Sequence, residues 1–384
     1  MTNTATPPVL LAWQEENTSH SAQWRSEAGV PPPRRVVAVD DTLTADAAYR
    51  LACEGTALLW RGDFQNARQL LQAMARRADK KARSGGKPSP EYPEAFHRKR
   101  MAQAQRSRLL GMLLIPFDAG HVIPLRRAPD VREACASVYG PADAPYVTSL
   151  RELLGLVGAW EWRKKGVSVP ALGGRIHPQY GVFSPVRGEY VVLVADAPLP
   201  AALATNSLAF DIGTGTGVLA AVLAKRGIQR VVATDMDARA LACARENVER
   251  LGFAAQVEVQ QADLFPAGQA PLVVCNPPWV RGKPSSALEY AVYDPDSRML
   301  RSFLVGLAAH LEPGGEGWLI LSDLAEHLKL RSRETLLAWI EQAGLKVLGR
   351  LDVRPTHAKA FDPDDPLHAA RAAEVTSLWR LGRA

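Results

Sequence analysis

Hydrophobic and polar positions follow two rhythms in the second half of the chain. Short apolar runs alternate with stretches whose apolar residues recur every three or four positions. The runs Leu208 to Ile212, Val231 to Thr234, Val257 to Val259, Leu272 to Cys275 and Glu316 to Leu321 predict strands. Between them, Val218 to Lys225, Ala238 to Leu251, Met299 to Leu311 and Arg331 to Ala343 predict helices. Two final runs, Lys346 to Val353 and Glu374 to Leu381, follow one another without a helical pattern and predict an antiparallel edge pair. Seven strands alternating with helices imply an α/β fold, a mostly parallel sheet covered on both faces.

The first half has a different rhythm. Residues 1–35 carry Pro7, Pro8 and the run Pro31 to Pro33, which predicts a flexible arm. Ala45 to Leu59, Asn66 to Arg77, Phe96 to Leu114 and Val147 to Arg163 have helical spacing, with Ala67, Leu70, Leu71 and Met74 on one face. Residues 36–165 therefore read as a mainly helical domain, interrupted by the Ser84 to Pro90 break. Residues 166–183, rich in Gly and Pro, read as a linker to a domain over 184–384.

The chain has 384 residues, long enough for two or three domains at about 150 residues each. Its composition, 47% hydrophobic and 22% charged, is that of a globular protein. The longest clean apolar run, Leu109 to Phe117, falls far short of the roughly 20 residues that cross a bilayer. Neither an export signal nor a membrane segment is visible, so a cytoplasmic location is the expectation. Cys53, Cys135, Cys243 and Cys275 are widely spaced and the histidines scattered, which predicts neither a disulfide framework nor a metal centre.

Charge is concentrated. Between Trp60 and Leu110, 13 Lys and Arg face four acids, an excess of +9 in a chain whose net charge is +6. Such a segment is either a footprint for phosphate or a solvated helix face. Arg76, Arg77, Lys80 and Lys81 are its candidate substrate contacts.

The chemistry sits at the ends of the predicted strands. Asp211-Ile212-Gly213-Thr214-Gly215-Thr216-Gly217 joins a strand to a helix, and its glycines let backbone approach a ligand closely. A dinucleotide fingerprint would need Gly where Val218 stands, and Asp211 would repel a pyrophosphate. The loop suits a ligand carrying an ammonium group. Asp235, roughly 20 residues beyond, is placed to accept from two ribose hydroxyls, with Met236 beside it, while Asp237 caps the next helix. Asp263 is placed to accept from an adenine amino group, with Leu264 against the ring. Finally, Asn276-Pro277-Pro278-Trp279 ends the fourth strand in a stiff turn that presents an amide and an aromatic plate.

In this order the motifs resemble the class I S-adenosylmethionine-dependent methyltransferases, in particular the group with an Asn-Pro-Pro-aromatic turn. The resemblance covers roughly Gly181 to Ala384. It implies a Rossmann-like sheet in which Asp211, Gly213, Thr214, Gly215 and Gly217 cradle the methionine part of the cofactor. Asp235 and Met236 would meet the ribose, and Asp263 and Leu264 the adenine. Asn276, Pro277 and Trp279 would hold a planar nitrogen for methylation, with Pro278 lining the acceptor. Members of this group modify bases in nucleic acid or glutamine in proteins. Gly181-Val182-Phe183-Ser184 is similar to a segment of the ribosomal RNA enzymes, whereas Ser184 to Tyr190 only partly matches the pattern of the glutamine enzymes. Together with the +9 segment this favours RNA, ribosomal or transfer, as partner. A release factor or ribosomal protein is the alternative acceptor.

Overall fold

The computed structural model describes residues 9–83, 91–186, 188–284, 289, 291–355, 362 and 365–384. The chain forms two compact units, one of residues 1–89 and 97–161, the other of 90–96 and 162–384.

The first unit contains β1 (Leu10–Glu15), β2 (Thr18–Trp24), β3 (Arg35–Val39), α1 (Ala45–Cys53), β4 (Thr56–Trp60) and α2 (Phe64–Arg83). After these come α3 (Glu94–Leu110), β5 (Leu113–Phe117), α4 (Arg132–Tyr139), β6 (Tyr146–Ser149) and α5 (Leu150–Lys165), the start of α3 and the end of α5 belonging to the second unit. Its sheet has six strands in the order β1-β2-β6-β5-β4-β3. Helical residues outnumber strand residues here, but the mainly helical expectation omits this sheet. The reason is local. Ala45 to Leu59 is helical only as far as Cys53; Gly55, at φ 79°, ends it, and Thr56 begins a strand. Likewise α3 stops before Gly111, and Leu113–Phe117, buried throughout, is a strand. Short apolar runs of this kind have no periodicity that separates strand from helix.

Residues 9–35 are not the expected flexible arm. β1 and β2 pair antiparallel around Glu16 and Asn17, both at positive φ as a tight hairpin requires. Leu11 is buried with Val147 and Leu114, and Trp13, Ala22 and Trp24 pack on them. Residues 1–8 and the break at 84–90 lie outside the described residues. On α2 the predicted face is the buried one: Ala67, Leu70, Leu71 and Met74 are each less than 9% exposed.

The second unit opens with β7 (Val167–Val169) and β8 (Gly174–Ile176), a small antiparallel pair in the stretch expected to be a linker. Val169, Leu172 and Ile176 are core residues, so 166–183 is structural rather than connecting. Then follow α6 (Glu189–Asp196), β9 (Leu208–Ile212), α7 (Val218–Lys225), β10 (Arg230–Asp235), α8 (Ala238–Arg250) and β11 (Val257–Gln261). β12 (Ala270–Cys275), β13 (Val280–Arg281), β14 (Tyr293–Asp294), α9 (Arg298–His310) and β15 (Leu311–Ser322) come next. The unit closes with α10 (Leu324–His327), α11 (Arg333–Gln342), β16 (Leu345–Val353), α12 (His368–Ala373) and β17 (Thr376–Arg383).

Seven strands form the main sheet in the order β11-β10-β9-β12-β15-β17-β16. All neighbours are parallel except β15–β17 and β17–β16, which run antiparallel as the sequence predicts. The short helix α12 between the last two strands departs from that pattern. Strand side chains alternate between two cores. Ala209, Val231, Ala233, Leu272, Val274 and Trp318 pack with α6 and α7 on one face. Phe210, Ile212, Val232, Val273 and Leu319 pack with α9 and α11 on the other. The chain winds outward from β9 in both directions, so the carboxyl ends of β9 and its neighbour β12 form the topological switch point, where sheets of this kind have a crevice.

One buried charge ties the antiparallel strand to the parallel part. Glu316 is 7% exposed and accepts from Arg380 Nε at 2.8 Å, Arg380 Nη2 at 2.5 Å and Trp318 Nε1 at 3.0 Å. Glu316→Ala leaves a guanidinium and an indole without their acceptor. Urea denaturation is expected to show a loss of about 3 kcal/mol, and Glu316→Gln a smaller one.

Candidate active site at the carboxyl ends of the central strands

Every predicted site residue of the second unit lies at the end of a strand bordering the crevice. Asp211 is within β9, and the glycine loop runs from it into α7. Asp235 closes β10, Asp263 stands two residues past β11, and Asn276 follows β12.

The loop is held from inside. Asp211, 1% exposed, accepts from the Thr214 hydroxyl at 2.6 Å and from the Ala220 amide at 3.0 Å, both on Oδ2. Burial pushes its pKa up to about 6, against the lowering effect of those two bonds. The expectation that Asp211 meets a ligand ammonium is thereby changed: its carboxylate faces the loop and the first turn of α7, and it shapes the cradle. The Thr214 amide donates to the Thr234 carbonyl at 2.8 Å, fastening the loop to β10.

Two glycines are needed for different reasons. Gly217, at φ 79°, packs so close to α8 that a Cβ would lie 3.1 Å from Ala244 Cα. Gly215, at φ 55°, has nothing within 4 Å of where a Cβ would be, and its amide donates to Asp235 Oδ2 at 3.0 Å. Gly215 thus borders open space beside the Asp235 carboxylate.

Asp235 joins the loop to the next helix. Its other oxygen accepts from the Asp237 amide at 3.0 Å, and burial raises its pKa. Each carboxylate oxygen keeps a further lone pair, so Asp235 can still take hydroxyls. Asp237 caps α8 through the Arg239 amide, as expected. Met236 is 62% exposed, an apolar side chain available to a ring. Asp263 is exposed, and Leu264 next to it has φ 70°, an uncommon conformation for a side chain of that size. The Thr234 hydroxyl fixes it by donating to the Leu264 carbonyl at 2.6 Å. No sequence motif singles out Thr234 for this bracing of Leu264.

The Asn-Pro-Pro-Trp turn departs from expectation in one respect. Trp279 Nε1 donates to Asn276 Oδ1 at 2.8 Å, and the indole packs partly buried against three apolar clusters. Trp279 therefore first fixes the amide; it is not a freely displayed plate. One lone pair of Oδ1 remains for a second donor. Pro277 and Pro278 are buried. Asp294, also missed, sits beyond the turn and caps α9 through the Met299 and Leu300 amides, each at 3.1 Å.

Of the basic candidates, all in the first unit, Arg76 and Lys80 are exposed, whereas Arg77 donates to Asp46 at 2.7 Å. The Lys81 side chain lies outside the described residues. Arg61 and Arg106 are also paired, with Glu15 and Asp79, which reduces the free excess of that segment. Among the described residues no group of three or more His, Cys, Asp or Glu is placed to hold a metal ion, and no helix is long and apolar enough to cross a membrane.

Residues 174–334 match the family model of the methyltransferase small domain. The matched segment runs from β8 to the start of α11 and contains the glycine loop, Asp235, Asp263 and the Asn276 turn. A release factor glutamine methyltransferase of Cereibacter sphaeroides is 35% identical over 119 residues, covering 27% of this chain and 43% of the relative. A ribosomal protein L11 methyltransferase of Geobacter metallireducens is 35% identical over 162 residues, 37% of this chain and 52% of the relative. A tRNA1(Val) (adenine(37)-N6)-methyltransferase of a Shewanella strain is 27% identical over 175 residues, 42% and 70%. The first two matches span about half or less of those relatives. Among solved structures, a ribosomal protein L11 methylase of Lactobacillus delbrueckii subsp. bulgaricus aligns with TM-score 0.36 and 18% identity over 54% of this chain and 84% of that one.

Two outcomes follow for the glycine loop. Gly217→Ala combines left-handed strain with a backbone clash and is expected to lose about 3 kcal/mol in urea denaturation. Gly215→Ala is expected to lose only about 1 kcal/mol, while filling the cradle. For Asp211 the folded carboxyl binds its proton more tightly than the unfolded one. Its contribution is therefore most favourable below pH 4 and is lost as pH rises to about 6. Relative to wild type, Asp211→Asn should gain up to about 3 kcal/mol between those limits, read from denaturation midpoints at each pH.

Proposed function

We propose that this chain is an S-adenosylmethionine-dependent N-methyltransferase whose acceptor is a planar amino nitrogen of a base in RNA. The observation that carries the proposal is the Asn276 turn, a carboxamide fixed by Trp279 at the end of β12, one strand away from the open loop at Gly215.

The residues fit the cofactor. Gly215 borders open space, Asp235 keeps lone pairs for ribose hydroxyls, and Met236 and Asp263 are exposed at the next two strand ends. Gly213 to Gly217 would hold the amino acid part, Asp235 the ribose, and Asp263, Met236 and Leu264 the adenine. When bound, the cofactor supplies an electrophilic methyl group on a sulfonium sulfur.

What remains for the chain is alignment. Asn276 Oδ1, already accepting the indole N–H, takes one acceptor N–H on its second lone pair. The Pro277 carbonyl takes the other. With both hydrogens held, the nitrogen's remaining direction faces the cradle. No strong base is needed, because a methylated planar amine loses its proton readily to water. The Pro277-Pro278 pair contributes stiffness: two fixed φ angles keep both acceptors in place.

RNA is favoured by the excess of cations in the first unit and by the similarity to a relative named for adenine N6 methylation. The relatives named for release factor and ribosomal protein methylation favour a second reading, glutamine in a protein. A cytoplasmic location accords with either.

Asn276→Ala is expected to leave cofactor affinity by calorimetry within a few-fold and to lower turnover by about 100-fold or more. Trp279→Phe keeps the ring but frees the amide, and should lower turnover while leaving cofactor affinity intact. Asp235→Ala is expected to weaken cofactor binding instead. Incubating the protein with a lysate and methyl-labelled cofactor identifies the acceptor class: label released by ribonuclease supports RNA, and label released only by protease transfers the assignment to a protein.

A further inference from the structure

A cleft of about 700 Å³ lies in the second unit just beyond the Asn-Pro-Pro-Trp turn, and nothing in the proposed chemistry uses it. It is lined by Arg281 of β13, Arg301 of α9, and Lys329 and Arg331 on the segment entering α11, with Trp339 as an apolar wall. Two carboxylates also line it, Asp296 and Glu326. Both are already engaged: Arg281 donates to Asp296 at 2.5 Å, and Arg333 Nε donates to the two oxygens of Glu326 at 2.8 and 2.9 Å. Lys329 makes only a loose pair with Glu91 at 3.8 Å.

Arg331 is the unusual member. It is 7% exposed, and its Nε is buried with no hydrogen-bond partner among the described residues. Glu326 and Asp294 lie near enough to act on its charge, but neither accepts from Nε, and a buried donor left unused is costly unless an acceptor completes it. The adjoining start of α11 does not attract that anion by itself, since Glu334 already bonds Ser332 there. The forked donors of the arginines are what remains, and they match the oxygens of a phosphate diester. Arg301 lies over the Trp339 ring at 5.5 Å, which holds its guanidinium at the cleft wall. Arg281, two residues past Trp279, lines the cleft, and the Trp279 indole packs in one cluster with Leu328 and Leu330 of the segment on the cleft's other side. A base held at Asn276 and a phosphate in the cleft would therefore lie on neighbouring parts of one strand.

We infer that this cleft is a phosphodiester pocket, which grips the backbone of a single-stranded nucleic acid while one of its bases enters the Asn276 turn. The inference rests on the N-methyltransferase reading above and specifies the substrate class of that site.

The test uses the full chain and a fluorescein-labelled 12-nucleotide oligoribonucleotide, with anisotropy measured over a range of salt. A polyglutamate peptide of the same length serves as the acidic-protein probe. Arg301→Gln alters an exposed residue and reports on the pocket even if Arg331→Gln does not fold. Each variant is expected to bind the oligonucleotide about 10-fold more weakly. The slope of log affinity against log salt should fall by about 0.7 for each phosphate that the variant no longer neutralises. Cofactor affinity by calorimetry should stay unchanged. If wild type binds the oligonucleotide and both variants match it in affinity and slope, the pocket is overturned while RNA survives as acceptor. If wild type ignores the oligonucleotide, whether or not it binds polyglutamate, the pocket and the RNA reading fall together.

Discussion

The crevice depends on a pair of carboxylates that bind backbone amides. Asp211 holds the start of α7 through Thr214 and Ala220, and Asp235 holds the Gly215 amide and the entrance to α8. A loop with glycines at 213, 215 and 217 has more conformational freedom than any other segment near the site, and without these anchors it would have no fixed shape. The anchors work because they are buried. Burial raises the pKa of both acids, so the same desolvation that strengthens their hydrogen bonds also makes them reluctant to ionise. Positioned amides at neutral pH are thus obtained at the expense of intrinsic stability.

The second half of the site follows the same logic with neutral groups. Asn276 is oriented by an indole that is itself clamped by three apolar clusters. Its amide orientation is therefore coupled to packing on both faces of the sheet. For the proposed methyl transfer, which needs alignment more than acid–base chemistry, a degree of freedom removed from the carboxamide is one the acceptor need not supply. Thr234 does the equivalent for Leu264, holding a residue at φ 70° where a ring is expected to lie.

Much of the second unit is legible in the sequence because its signals are local. A strand ending in Asp211, a loop of alternate glycines and a helix of continuous apolar residues specify one another within one short stretch. β9 and α7 occur at the residues their pattern predicts. The antiparallel end pair is equally visible. The first unit is less so. Its strands are short, and β4 and β5 each follow a helix after only two residues, Glu54-Gly55 and Gly111-Met112, so their apolar residues read as an extension of the helical pattern. The β1–β2 hairpin buries only one side chain fully, Leu11, and has too little apolar content to stand out. At the site, the residues proposed to meet a ligand are identifiable by type. Their internal partners are not: no motif indicates that the Trp279 N–H turns inward to Asn276 or that Thr234 braces Leu264.

Charge behaves differently from pattern. The +9 segment looks like a single basic surface in the sequence, yet Arg61, Arg77 and Arg106 are each paired with an acid, two of which, Glu15 and Asp46, lie outside the segment. The cations around Arg331 come from separate stretches, 281, 301 and 329–331, and form no run at all; only the fold gathers them in one cleft. Linear charge density therefore overstates one surface and misses another. For recognition the second counts for more: a solvated pair on a helix is screened by salt and water, whereas a guanidinium buried with an unpaired donor has an energetic reason to bind an anion.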